Sequence, residues 1–334
     1  MKTKRADTAY CGVRAQAVKS AEPAFDKDIL LMFSHYLKER YNIHLLKDVQ
    51  HQKRPWTKDP ILKTFKFTNV RREHDPTTRW VITHIINHPW LTYKQKVFNI
   101  ILYRGYNKIE TAELLDMPIP FGDDCLPMSY YKDRLNKYCD ENPDYKPFTN
   151  AFMTSGFTRM LHDQFGTKQH SVLIDWIEHL YYDKTFFYTL IRCVSPKQVI
   201  ELLTSINGVS SFLAYQIFVD FTYLEDFPFS ENEYTLCGPG AKRGLERLVS
   251  DPDGLTPEEL VFWMRDNWDR LMLVLPEEDR FYPQDYMTDL KPYDRCMNVM
   301  SIENCLCELY KYYKATTKSG RPRNKYRPRK RKEF

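Results

Sequence analysis

No stretch of about 18 apolar residues occurs in this 334-residue sequence, so no membrane-spanning helix is expected. Residues 1–24 carry basic side chains but no apolar block of roughly 7–15 residues, so they do not read as a secretory signal. The eight cysteines include no C-x-x-C pair and read as free thiols of a reducing compartment. Cys296, Cys305 and Cys307 lie close together, but C-x-C on a helix is poor zinc geometry. The sequence also lacks GxxxxGK[ST], HExxH, GxSxG and the H-x-E…P-C-x-x-C pair. These absences argue against an ordinary P-loop, a zincin, a serine-hydrolase elbow and a zinc deaminase. No metal ligand set is assigned, and the cofactor is left unknown.

What is present is a foldable body and a basic tail. The chain is 43% hydrophobic and 15% aromatic, enough for a substantial core. From Lys318 to Phe334 there are nine Lys/Arg and one Glu, which leaves the rest of the chain at about −3. A tail this polar is expected to be disordered and to serve as a nuclear-import signal or phosphate-binding arm; a merely solvated tail is the alternative. Three parts result: a flexible 1–24, a helical domain 25–316 and the tail 317–334.

Apolar spacing predicts helices over 26–40, 77–88, 92–103, 107–117, 127–143, 170–183, 196–206, 211–224, 241–250, 257–272 and 302–315. Residues 148–163 read as helical or irregular, and 225–240 as a loop. Phe65, Phe67 and Val70 suggest a short extended piece over 61–70. Thr256-Pro257-Glu258-Glu259 is a capping box with proline at the first helical position. Ser301 is the expected cap of the last helix. The fold class is mainly α.

Between two apolar helices stands the turn Ile206-Asn207-Gly208-Val209-Ser210-Ser211. Glycine tightens such a turn, and amides at a helix start attract a phosphate. Asn207, Gly208, Val209, Ser210 and Ser211 are therefore candidate DNA contacts, with an ordinary interhelical corner as the alternative. Arg71, Arg72 and Arg79, near Trp80 and Trp90, offer phosphate pairing beside stacking rings; salt bridges and core tryptophans are the alternative. Arg104 and Asn107 could clamp a phosphate and read a pyrimidine edge, or form a buried polar network at a helix corner. Tyr215 joins them as a candidate for the base pocket. Gly238, Gly240, Lys242 and Arg243 could hold an anion at a helix start, or be a plain cap. Glu231, beside Asn232, is the candidate general base, with an ordinary loop carboxylate as the alternative. His84, His88, His162 and His170 have no ligand-like spacing and read as structural.

The turn, with Ala214 in the helix that follows, resembles the helix-hairpin-helix of DNA-repair glycosylases. Ser210 replaces the second glycine of that pattern, and Glu231 is the nearest carboxylate where the pattern has an aspartate. The lyase lysine and the iron–sulfur cysteine spacing are missing. A longer series of blocks spans residues 65–314: FKFTNVRREHDPTTRW, NIILYRGYNKIET, INGVSSFLAYQIFVDF, ENEYTLCGPGAKRGL and IENCLCELYKYYK. Together they resemble the helical domain named for 5-hydroxymethyluracil DNA kinase. Its relatives are labelled alpha-glutamyl/putrescinyl thymine pyrophosphorylases of thymine-hypermodifying phages. The resemblance implies a glycosylase-like helical body and DNA bearing 5-hydroxymethyluracil, or a hypermodified thymine, as substrate. A base flipped from the stack is then expected near Asn232, Asn107 and Arg104, with Glu231, between the hairpin and the glycine loop, as base or as stabiliser of a developing cation. A glycosylase acting on a modified pyrimidine and a non-catalytic reader of modified DNA are the alternatives. A partner kinase or other base-modifying enzyme is expected, in a nucleus for a eukaryotic source and otherwise in the cytoplasm.

Overall fold

The computed structural model describes residues 21–123, 125–149, 161, 163, 165–166, 168–320 and 325–326. Residues 1–20 of the expected flexible N-terminus, His162 and most of 148–163 and of the basic tail lie outside the described residues; at 21–24, Ala21 is buried and its carbonyl accepts from the Trp263 indole (3.1 Å). The chain divides into two compact units: residues 1–75 with 231–334, and residues 76–230. Both are mainly helical. Among the described residues no helix is long and apolar enough to cross a membrane.

The first unit opens with the short strand β1 (Ala24–Phe25) and helix α1 (Lys27–His44). Asp26 caps α1 by accepting from the amides of Asp28 and Ile29, and Leu30, Phe33, Leu37 and Tyr41 form its buried face. A π-helical turn, Leu45–Val49, continues it. The predicted extended piece at 61–70 is helical at its start: Asp59 caps α2 (Pro60–Thr64), with Pro60 at the first position. Phe65 then becomes extended and bridges to Lys325 of the basic tail, while the Tyr326 amide donates to the Thr64 carbonyl (2.9 Å).

The second unit carries α3 (Pro76–Val81), α4 (Tyr93–Tyr106), α5 (Ile109–Leu114), α6 (Met128–Glu141), α7 (Val172–Tyr182), α8 (Lys184–Leu190), α9 (Pro196–Ser205) and α10 (Ser211–Phe221). Helix α4 has a Thr92–Gln95 capping box and is the centre of the unit, touching α7 and α10. It ends at Asn107, whose φ of 47° lies in the left-handed region that asparagine tolerates. The sequence reading missed α8, a short helix that begins at the cap residue Asp183, where α7 stops.

The chain then returns to the first unit with α11 (Pro239–Leu248), β2 (Val249–Asp251), α12 (Pro257–Asp266), α13 (Trp268–Met272), α14 (Pro283–Tyr286) and α15 (Val299–Thr316). β2 pairs antiparallel with β1. The Thr256 capping box with Pro257 is present as read from sequence. Asn298, not Ser301, caps α15: its Oδ1 accepts from the Ser301 amide, so Ser301 is inside the helix. α1, α11, α12 and α15 enclose one core of Leu30, Phe33, Leu245, Val261, Ile302 and Leu306. Six described cysteines are free thiols; Cys296 is disulfide-bonded, which corrects the all-thiol expectation.

Candidate functional site

Glu231 and Asn232 open the returning segment of the first unit and are buried at the start of α15. The Asn298 side-chain amide donates to Glu231 Oε1, and Asn232 Oδ1 accepts from the Val299 amide (3.0 Å). Arg265 donates to the Asn232 carbonyl (2.8 Å). A carboxylate here gains from the partial positive charge of the helix N-terminus. Arg71 reaches the same place: one of its nitrogens is 3.7 Å from Glu231 Oε1 and 2.6 Å from Glu73 Oε1, and another donates to the Cys296 carbonyl (2.9 Å). Burial works against ionised Glu73, but Arg71 holds its pKa below the ordinary value. Arg71 and Arg72 are thus buried within the first unit, whereas Arg79 is exposed in the second. The three arginines of the expected cluster are divided between the two units. Trp80 is a core ring stacked on Tyr103 (4.8 Å, 7°) and His84 (4.6 Å, 14°), while Trp90 is 84% exposed.

The glycine-rich helix start is satisfied from inside. The Gly238 amide donates to Glu303 Oε1 (3.1 Å) and the Cys237 amide to Glu258 Oε1 (3.0 Å). Two carboxylates of the protein stand where an external anion was expected, which matches the plain-cap alternative. Burial raises the Glu303 pKa to about 7, against the pull of the Gly238 amide. Gly240 faces Cys307, whose Cβ would be 3.3 Å from an added methyl. It serves close packing of α11 on α15. Lys242 and Arg243 point outward, with the Arg243 guanidinium 5.7 Å from the Tyr310 ring centroid.

In the second unit, Arg104 is a fully buried guanidinium. It donates to Asp220 through two nitrogens, one at 2.8 Å, to Asn107 Oδ1 (2.8 Å) and to Thr78 Oγ1 (3.1 Å). This is the buried-network alternative at the α4 corner. Tyr215 is buried on α10. The hairpin α9–α10 has a tight turn: the Val209 amide donates to the Ile206 carbonyl (3.0 Å), and Gly208 has φ 85°, where glycine carries no Cβ penalty. Val209 is buried, Ser210 and Ser211 are exposed, and Ser210 caps α10 by accepting from the Leu213 amide (3.2 Å).

Two features of the first unit escaped the sequence reading. One is a cavity of about 210 Å³ lined by Arg40, Lys47, Arg54, Trp56, Lys63 and Tyr326, together with Thr57 and apolar side chains. Among the described residues its walls include four cations and no carboxylate. The Arg54 guanidinium is 4.9 Å from the Trp56 centroid and 4.4 Å from that of Tyr326. The basic run HQKRPWTK, with a tryptophan inside it, was the available signal. The other feature joins His44, His74 and Asp289. Asp289 Oδ2 is 3.0 Å from His44 Nε2 and 3.5 Å from His74 Nε2, and the two imidazoles stack at 3.9 Å. Burial opposes a charged His44, yet hydrogen bonds to Asp289 and Asp48 raise its pKa. Burial, then the His44 charge, lowers His74 to about 4. No local spacing could have revealed a set so scattered along the chain.

A family described as "5-hmdU DNA kinase, helical domain" matches residues 27–321. A 5-hmdU DNA kinase of Bacillus phage SP10 is 24% identical over 306 residues, covering 87% of this chain and 46% of that protein. The chain thus spans about half the length of this curated relative. No solved structure matches.

Proposed function

Because the chain belongs to the family of 5-hmdU DNA kinase helical domains, we propose that it is a DNA-base modification protein. Its substrate is DNA carrying 5-hydroxymethyluracil or a hypermodified thymine derived from it. The observation that carries the reading is the aromatic cavity, whose walls among the described residues hold four cations and no carboxylate. Stacking rings bind any unstacked base, and guanidinium or ammonium groups hold its phosphate. A base extruded from the duplex is the matching ligand. The hairpin turn Asn207–Ser211 and the outward Lys242 and Arg243 grip phosphates elsewhere on the DNA. Glu231, with Asn232 beside it, acts as the general base or stabilises a developing cation. Arg104 and Asn107 fix the α4 corner within the second unit.

Two observations favour a second reading. The sequence has no GxxxxGK[ST] phosphate cradle and covers 46% of the relative. On this reading the chain recognises modified DNA while a partner kinase, or another base-modifying enzyme, performs the transfer. The phage source of the relative supports an infected bacterial cytoplasm as the compartment.

Mass spectrometry of nucleosides separates these readings. The protein is incubated with duplex and single-stranded DNA carrying thymine or 5-hydroxymethyluracil, with and without ATP. A heavier nucleoside establishes transfer, and its ATP dependence identifies the donor. Free base with an abasic site establishes a glycosylase instead. Unchanged nucleosides with selective binding establish the reader. Trp56→Ala should weaken binding of 5-hydroxymethyluracil DNA by about 1–3 kcal/mol if that ring stacks on the base. Undiminished affinity would remove the cavity from the account.

A further inference from the structure

We propose that His44, His74 and Asp289 form a binding site for one divalent transition-metal ion of the zinc class. The three side chains come from separate segments: the end of α1, the 3-10 turn Arg72–His74 and the loop after α14. Their ligand atoms all lie within 4.8 Å of one another. The Nε2–Oδ2 separations of 3.0 and 3.5 Å bracket the edge of about 3.3 Å that a tetrahedron has when its bonds are about 2.0–2.1 Å.

The supporting groups are those of a metal centre. A ligating histidine ordinarily gives its second nitrogen to a carboxylate, and a ligating carboxylate is itself hydrogen-bonded. His44 Nδ1 stands 3.3 Å from Asp48 Oδ2. The Tyr41 hydroxyl donates to Asp289 Oδ1 (2.6 Å). Those contacts occupy the outer atom of each residue; the inner atoms, His44 Nε2 and Asp289 Oδ2, hydrogen-bond each other at 3.0 Å, and an ion would take the place of the proton between them. His74 is positioned differently: its ring lies flat on His44, with 13° between the planes. The side chains of His44, His74 and Asp289 are 6%, 11% and 12% exposed, so the set is sheltered but has an open edge. Two imidazoles and one carboxylate suit zinc, iron, cobalt or nickel rather than calcium or magnesium. Three protein ligands leave at least one position for water or a phosphate oxygen, the pattern of reactive rather than structural sites.

The test uses the full chain, stripped with a chelator, desalted and titrated with Zn²⁺ against a chromophoric competitor. One zinc per chain is expected, with a visible d–d band when Co²⁺ is used instead. His44→Gln and Asp289→Asn should each weaken zinc binding at least tenfold, and Tyr41→Phe by about 10–100-fold. His35→Ala should change nothing, because His35 is half-exposed and pairs with Asp59. Circular dichroism checks that each variant is folded. If a ligand variant unfolds, Tyr41→Phe and the cobalt spectrum of the unmodified protein decide. Substoichiometric zinc with no cobalt band overturns the site, as does stoichiometric zinc that the folded ligand variants retain.

Discussion

Arg104 and Asp220 form a two-nitrogen ion pair in which both side chains are essentially excluded from solvent, at 2% and 0% exposure. Removing one partner strands the other charge in the core. Asp220→Ala should therefore cost about 3–5 kcal/mol. Replacing both residues with apolar side chains of similar volume should cost much less, because no charge is left buried. Denaturant midpoints of the single and double variants check this. A single-variant loss below 1 kcal/mol would show that Arg104 finds another partner or reaches water.

Gly244 meets Leu306 at the closest approach of α11 to α15. A Cβ on Gly244 would stand 2.8 Å from the Leu306 carbonyl carbon and nearer still to its oxygen. Backbone cannot step aside as a side chain can, so Gly244→Ala should destabilise by about 1–3 kcal/mol or more. At Gly240 the obstacle is the Cys307 side chain. Cys307→Ala should therefore rescue Gly240→Ala, whereas Leu306→Ala should not rescue Gly244→Ala. Equal rescue at both positions would contradict the backbone contact.

Local signals in the sequence reached the helices and their caps, because periodicity and capping act over one or two turns. The Thr256 box and the buried face of α1 are examples. At α15 two polar residues compete, Asn298 and Ser301, and only the backbone path selects Asn298. At 61–70, Asp59-Pro60 starts a helical turn that the alternating phenylalanines concealed. The candidate sites were less legible because tertiary contacts assemble them. Arg104 and Asp220 are 116 positions apart, and Glu231 and Asn298 are 67 apart. Arg71 and Arg79 look like neighbours in the sequence yet belong to different units. The resemblance to a family drew attention to Glu231; spacing alone did not.

Glu231 gives a sharp separation of catalysis from binding. Glu231→Gln keeps an oxygen to accept from Asn298 and removes the charge that faces Arg71. If Glu231 is the base, conversion of 5-hydroxymethyluracil nucleosides should fall by about 10²–10⁴-fold while DNA affinity is retained. Full turnover in the variant would end that role for Glu231. Joint loss of affinity and fold would make the residue a structural anchor of the α15 start.

Glu303 links the α11–α15 junction to pH. Burial raises its carboxyl to about 7, above the ordinary 4.5. The folded state therefore holds this proton more tightly than the unfolded chain. Its contribution to stability is complete below pH 4.5 and is lost as pH rises through 7, leaving an ionised buried carboxylate. The cost above pH 7 is on the order of 3 kcal/mol. Glu303→Gln keeps an acceptor for the Gly238 amide and abolishes the titration. Relative to the unmodified protein, the variant should gain stability steadily from pH 5 to pH 8. Denaturant titrations of both proteins across that range read the difference directly, and contributions from other groups such as Asp75 cancel. A difference that does not change with pH would mean that Glu303 is ionised throughout, with Arg72 as its effective counter-charge.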